Sequence, residues 1–178
     1  MPGRWRGDGL SNPSDYGSVI CHIDAIDKFD AINEVIDKCS IFNSLPDVNR
    51  FRRAVLNREA IETTGIGHGI AIAHGKIRNL THVQVGLGLS ECGVDYDAKD
   101  GLPVHFLFVI ASSPTRQFEY IRTLSTLLRT VRSPEVRDEL LRLDENYECP
   151  DPLSSQGDTL MHMLADQHFS WIWHQNGQ

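Results

Sequence analysis

The chain of 178 residues has no apolar run approaching the roughly 20 residues that a membrane-crossing helix requires; its densest stretch, VHFLFVIA at 104–111, is far shorter. It also lacks a basic excess. With 17 Lys and Arg against 24 Asp and Glu, the formal charge is −7, the wrong sign for a general nucleic-acid binder, which sets a basic face against phosphates. An acidic patch can still recruit a basic protein. Cysteine is sparse: Cys21, Cys39, Cys92 and Cys149 lie far apart, with no C-x-x-C and no histidine pair at zinc-finger spacing. Reduced thiols in a cytoplasmic setting are expected, and a metal site is not. Cys21 and His22 are adjacent, but neighbours on a strand point to opposite faces. Internal repeats and low-complexity tracts are absent. Residues 1–17 carry two arginines but no apolar core of a secretory signal, and read as a flexible leader. The length suits a single domain over 18–167, followed by a tail over 168–178.

The elements that are present alternate loosely between two periods. SVICHI at 18–23 reads as a strand, and a helix follows with Asp27 as N-cap and Phe29, Ile32, Val35 and Ile36 as its apolar stripe. A second helix takes Pro46 in its first turn, with Val48, Phe51, Val55 and Leu56 inward. HVQVGLGLS and VHFLFVIAS read as strands around the acidic turn segment ECGVDYDAKDGLP, the second of them dense enough to be central. Phe118, Ile121, Leu124, Leu128 and Val131 then mark a helix packed on the sheet, and Ser133, Pro134 and Glu135 cap and start another. Strands and helices mingle without strict alternation, which favours an α/β fold with a mixed sheet flanked by helices. The closing segment holds a candidate last helix and the tryptophans Trp171 and Trp173; exposed, these would make a self-association surface, so a homo-oligomer is among the expectations.

The most informative segment is GIGHGIAIAHG at 65–75, in which four glycines and two histidines interrupt an apolar run. It lacks the G-x-x-x-x-G-K-[S/T] pattern, and it does not follow a strand and open a helix as a dinucleotide fingerprint does. What it offers is backbone amides near an imidazole, a setting that can hold an anion. The spacing predicts a strand over 70–73 with His74 at its rim. Neutral imidazole is a competent nucleophile towards phosphorus, because its ring nitrogen need not lose a proton before attack. A histidine packed at a strand end with both nitrogens satisfied is the alternative.

LNREAIETTGIGHGIAIAHGKI, residues 56–77, resembles the active-site signature of the fructose, mannitol and nitrogen-regulatory enzyme IIA domains of the bacterial phosphotransferase system. Arg58 and Glu59 match an arginine-glutamate pair, Thr64 to Gly67 a Thr-Gly-Ile-Gly turn, and Ala73, His74 and Gly75 the Pro-His-Gly at the strand's end. The likeness continues through GVDYDAKDGLPVHFLFVIASSP and the helix carrying RTLSTLLR, covering about 18 to 143. It implies a mixed five-stranded sheet flanked by helices, no metal and no cofactor, and a phosphoryl group received on His74 from an HPr-type phosphocarrier. It also implies a sugar-permease component or a regulatory protein as the onward partner.

Three positions depart from the pattern. Ala73 replaces the usual proline, freeing φ and adding an N–H. His68 stands where asparagine is common, either as a phosphoryl donor or as a solvent-facing turn residue. Tyr120 takes the place of a second pocket histidine and stays uncharged at neutral pH. Arg58 is expected either to grip phosphoryl oxygens or to form a surface ion pair, and Gly75 to offer its amide; Glu59 reads as structural. His82, His105, His162, His168 and His174 read as ordinary histidines. Two functions follow: a phosphoryl relay, with a stand-alone nitrogen-regulatory type favoured over a sugar-specific one, or a non-catalytic interaction module built on a degenerate site.

Overall fold

The computed structural model describes residues 19–145; the leader, Cys149, the candidate last helix and the terminal tryptophans lie outside the described residues. The elements are β1 (Ile20–His22), α1 (Lys28–Lys38), a 3-10 turn (Ser40–Ser44), α2 (Val48–Ile61), β2 (Gly65–Gly67), β3 (Ile70–Lys76), β4 (Gln84–Val94), β5 (Val104–Ser112), a second 3-10 turn (Pro114–Arg116), α3 (Gln117–Val131) and α4 (Pro134–Glu145). The strands form one mixed five-stranded sheet in the order β1-β4-β5-β3-β2. β1 with β4 and β3 with β5 are parallel pairs, and β4 with β5 and β2 with β3 are antiparallel. This is the mixed sheet between helices that the sequence leads one to expect, with β5 at its centre.

Alternation along the strands divides two cores. Ala71, Ala73, Leu107, Val109 and Ala111 face α1 and α2 with Ile32, Ile36, Phe51 and Val55. Ile70, Ile72, Phe106, Phe108 and Ile110 face α3 and α4 with Tyr120, Leu127, Val131, Val136 and Leu140. Every β5 residue except His105 is buried, as a strand covered on both faces requires.

Local chemistry sets the helix starts. Asp27 caps α1, its carboxylate accepting from the Phe29 and Asp30 amides, as its position before the apolar stripe predicts. Ser133 likewise accepts from the Val136 amide at the start of α4. Pro46, by contrast, lies ahead of the helix: Asp47 caps α2 by accepting from the Arg50 amide. Phe29 is not part of the inward stripe either. It sits in the first turn beyond the sheet's cover, exposed, with the Lys28 ammonium 5.4 Å from its ring centre.

The larger correction concerns α3. The expected stripe would bury Phe118 and Ile121, yet these are 76% and 47% exposed, and Tyr120, Thr123, Leu127, Thr130 and Val131 face the sheet. The helix is turned by about one residue because its threonines can be buried at little cost. Thr123 and Thr130 donate their hydroxyls to the carbonyls of Glu119 and Thr126, four residues back, and present methyl groups to the core.

Candidate functional site

β3 does not break at His74 but runs on to Lys76, each residue from Ile70 onward in register with β5, His74 opposite Ile110. Its strand partner on the other side is short. β2 covers only the first residues of β3, the last cross-strand bond being Ile72 N–H to Thr64 O at 3.1 Å. From His74 to Lys76 that edge of the sheet has no strand beside it. Successive N–H groups of a strand point to alternate sides. Ile72 N–H points to β2 and Ile77 N–H to Ser112 O on β5, at 2.9 Å, so the His74 and Lys76 amides fall on the open edge. The Gly75 amide falls on the β5 side. Gly75 is therefore not the anion-holding amide that the sequence reading makes it; its neighbour's amide takes that position.

What Gly75 supplies is proximity. A Cβ there would lie 2.8 Å from Val55 Cγ2, 3.0 Å from Val55 N and 3.2 Å from Ala54 Cβ, so its absence lets α2 lie close over the strand. One turn further along α2 is Arg58, half-buried, its guanidinium donating to the Glu62 carbonyl at 3.0 Å and close enough to act electrostatically on both His74 and Tyr120.

The His74 side chain shares the face of Ile70 and Ile72 and is half-buried beneath α3. Its Nδ1 lies 3.2 Å from the carbonyl of Ile72. A carbonyl only accepts, so Nδ1 carries the hydrogen and Nε2 holds the free lone pair. The Tyr120 ring stands 5.7 Å away, centre to centre, tilted by 42°. Burial holds the His74 imidazole below its ordinary value of 6.5; the Arg58 and Lys76 charges act in the same sense, and the Ile72 bond and the Glu59 carboxylate oppose them. Burial raises the Tyr120 phenol, with Arg58 opposing, so the phenol keeps its proton as a hydrogen-bond donor. Lys76, two residues along on the same face, is exposed and donates to Gln117 Oε1 at 2.9 Å.

His74, Arg58 and Tyr120 thus come together, as expected. His68 does not join them. It forms, with Gly69, the two-residue turn of the β2–β3 hairpin, with φ of 56° and 76°, the left-handed pair that such a turn demands and that asparagine or glycine fits best. The four residues from Ile70 to His74 span about 13 Å of strand, leaving the two histidines at opposite ends of β3. His68 is exposed and its amide donates to Asp100 Oδ2 at 2.8 Å. It is the solvent-facing turn residue.

Beneath the site lies a buried polar cluster that the sequence reading records only as a structural Glu59. Its carboxylate, on a residue 1% exposed, accepts from the Thr64 amide at 3.0 Å, from the Thr64 hydroxyl, and from the Tyr96 hydroxyl at 3.1 Å, with Lys28 Nζ at 3.8 Å. Glu59 follows Arg58 on α2, so this cluster ties the end of the helix to β2 and to the loop after β4. Tyr96 and Lys28 come from segments that no local pattern joins to Glu59.

Among the described residues no group of three or more His, Cys, Asp or Glu could hold a metal ion, and no helix is long and apolar enough to cross a membrane. Cys21 and Cys39 are buried free thiols and Cys92 is an exposed one. A cleft of about 560 Å³ between Ile26, Asp97, Leu102 and Pro103 lies at the end of the sheet where β4 finishes and β5 begins, away from His74.

Comparison with known proteins agrees with this geometry. A fructose-specific EIIABC component from Bacillus subtilis is 33% identical over 123 residues, 69% of this chain, which spans only 19% of that protein's length. A fructose-specific EIIA component from Haloferax volcanii is 31% identical over 124 residues, 70% of this chain and 80% of its own. The nitrogen regulatory protein of Escherichia coli is 34% identical over 105 residues, 53% of this chain and 64% of its own. Among solved structures, nitrogen regulatory protein IIA-Ntr from Neisseria meningitidis superposes with a TM-score of 0.66 at 20% identity, covering 82% of this chain and 91% of its own. The IIA mannitol domain of Escherichia coli gives 0.61 at 19% identity, covering 83% and 96%, and its fold likewise matches in a complex with phosphorylated IIB. Residues 15–150 match the family described as phosphoenolpyruvate-dependent sugar phosphotransferase system, EIIA 2, and the chain belongs to that family.

Proposed function

We propose that this chain is a phosphoryl relay in which Nε2 of His74 accepts a phosphoryl group from an HPr-type phosphocarrier in the cytoplasm. The observation that carries the reading is the Nδ1–H bond to Ile72, which aims the lone pair of the opposite nitrogen out of the strand. The lone pair attacks phosphorus in line; the bond between phosphorus and the carrier's own nitrogen breaks, and that nitrogen keeps the electron pair. His74 Nδ1–H stays on Ile72 O throughout. Arg58 and the Tyr120 hydroxyl supply donors for the phosphoryl oxygens, and the open-edge amide of His74 supplies a third. The site needs no cofactor.

Incubation with a phosphoenolpyruvate-driven carrier system tests the reading: the protein should take up phosphate in an acid-labile, base-stable bond. Failure to take label from every carrier tried would leave the interaction-module reading, which rests on the substitutions at Ala73 and Tyr120. Fructose-specific and nitrogen-regulatory relatives both match, so the onward acceptor distinguishes the two roles. Label that leaves His74 when a IIB-type domain is added marks sugar transfer, and label that stays marks the regulatory type.

Two measurements probe the chemistry. Tyr120→Phe removes one donor, worth about 0.5–1.5 kcal/mol, and should slow labelling roughly two- to tenfold without abolishing it; an unchanged rate would remove Tyr120 from the site. The pH profile should reflect the depressed imidazole. Because the neutral ring reacts, the labelling rate should hold as pH falls through 6.5 and decline only below it. Stability carries the same sign. Between the lowered folded value and 6.5 the unfolded chain binds more protons at this position, so wild-type protein loses stability relative to His74→Gln as pH falls through that window. A labelling midpoint above 6.5 would contradict the assignment.

A further inference from the structure

We propose that the partner docking at the His74 end is a phosphocarrier protein whose own docking face is acidic around an apolar centre. The inference rests on the relay reading of His74 and adds the charge of the partner. The chain carries −7 overall, yet the segments that frame His74 are positive. Arg58 and Lys76 act on its ring. Arg78 follows β3 and is exposed, Arg116 is exposed at the foot of α3, and Arg122 stacks over Phe118 at 5.7 Å.

The carboxylates of the same segments are largely committed. Glu59 is buried in its cluster, and Glu119 accepts from the Val83 amide at 3.0 Å, so Glu62 is the main exposed negative charge there. The acidic surplus sits at the other end of the sheet, where Asp27, Asp30, Asp95, Asp97 and Asp100 are exposed beside Lys28 and Lys99. The molecule is therefore electrically polarised along its strands, with the nucleophile at the positive end.

Apolar side chains stand among these cations. Ile61 closes α2, one turn beyond Arg58, at 82% exposure, and Phe118 and Ile121 occupy the first turns of α3. Arginine mixed with large apolar residues is the composition of protein interfaces. A half-buried Nε2 can meet phosphorus only if the donor enters between these helices, which a protein knob can do and a flat lipid surface cannot. Opposite charge on the incoming face raises the encounter rate, and salt weakens it.

The test uses one HPr-type carrier in two versions that differ only in the residues ringing its histidine, glutamate in one and lysine in the other. Binding of the unphosphorylated carriers and labelling by the phosphorylated ones are measured with the full chain at about 0.05 M and about 0.3 M salt. The glutamate version is expected to bind and label about tenfold better at low salt, with the advantage shrinking at high salt. The Arg78→Glu, Arg116→Glu double variant, which leaves Arg58, His74 and Tyr120 untouched, should reverse the preference. Preference for the lysine version, or indifference to salt, overturns the proposal while labelling keeps the relay reading. Salt-sensitive binding of the glutamate version without any label does the opposite. Vesicles of anionic phospholipid that compete with the glutamate version at equal affinity would assign the surface to lipid and overturn the proposal as well.

Discussion

His74→Ala protein should take no phosphate from a carrier system that labels the wild type. The expectation follows from the lone free nitrogen: Nδ1 is held on the Ile72 carbonyl, and the other candidate in the glycine segment, His68, faces solvent at the far end of the strand. The phosphate on the wild type should be released by acid and survive base, because protonation of a phosphorylated imidazole turns it into a good leaving group. The fold should survive the change. The ring is half-buried against Tyr120, so its loss is expected to cost about 1 kcal/mol, within the ordinary range for single substitutions. Label that persists on another histidine in the variant would show that the acceptor is elsewhere, and a variant that fails to fold would be replaced by His74→Gln, which fills most of the same space.

The second large effect is expected at Glu59→Ala. The substitution strands the Thr64 amide and hydroxyl, the Tyr96 hydroxyl and the nearby Lys28 ammonium in a site from which water is excluded. Removing one member of such a cluster costs about 3 kcal/mol or more, which in a chain of this size lowers the melting temperature by roughly 6–12 °C. Labelling should suffer too at temperatures where the protein remains folded, since the cluster fixes the end of α2 from which Arg58 reaches towards His74. Glu59→Gln keeps the shape and part of the bonding, and should fall between. Wild-type melting in Glu59→Ala would mean that the cluster contributes nothing net, and wild-type labelling would separate it from the placement of Arg58.

The parts of this architecture that were legible in the sequence are those set by neighbours in the chain. The Asp27 and Ser133 caps, the apolar density of β5 and the run from Thr64 to Gly75 all declare themselves within a dozen residues. The pairing of His74 with Arg58 and Tyr120 came from the motif spacing and the family likeness together, and the structure does bring the three side chains to one place. What was not legible depends on geometry that no window contains. The inward face of α3 turned on whether buried threonine hydroxyls could bond to their own helix, and a hydropathy count places Thr123 and Thr130 outside and Phe118 inside. His68 and His74 are close in sequence, but an extended chain converts that closeness into distance. The assignment of anion-holding amides to the residue before Gly75 rests on strand parity, which cannot be counted until the partner strands are known. Tyr96 reads as part of an acidic turn and becomes a core residue only because Glu59, from another element, needs its hydroxyl.

The short span of β2 has a further consequence for how the protein fails. A strand edge without a partner is a template on which another chain can add hydrogen bonds, and β3 keeps such an edge beside His74 so that a donor can approach. In the folded protein the nearby end of α2 and the charge of Lys76 make that edge unattractive to strangers. Loosening α2 removes the helix and leaves an apolar strand, Ile70 to Ala73, next to open backbone groups. Variants that weaken the anchorage of α2 should therefore tend to assemble into sheet-rich aggregates on warming rather than melt reversibly, and the same opening that admits a phosphoryl donor becomes the seam along which copies join.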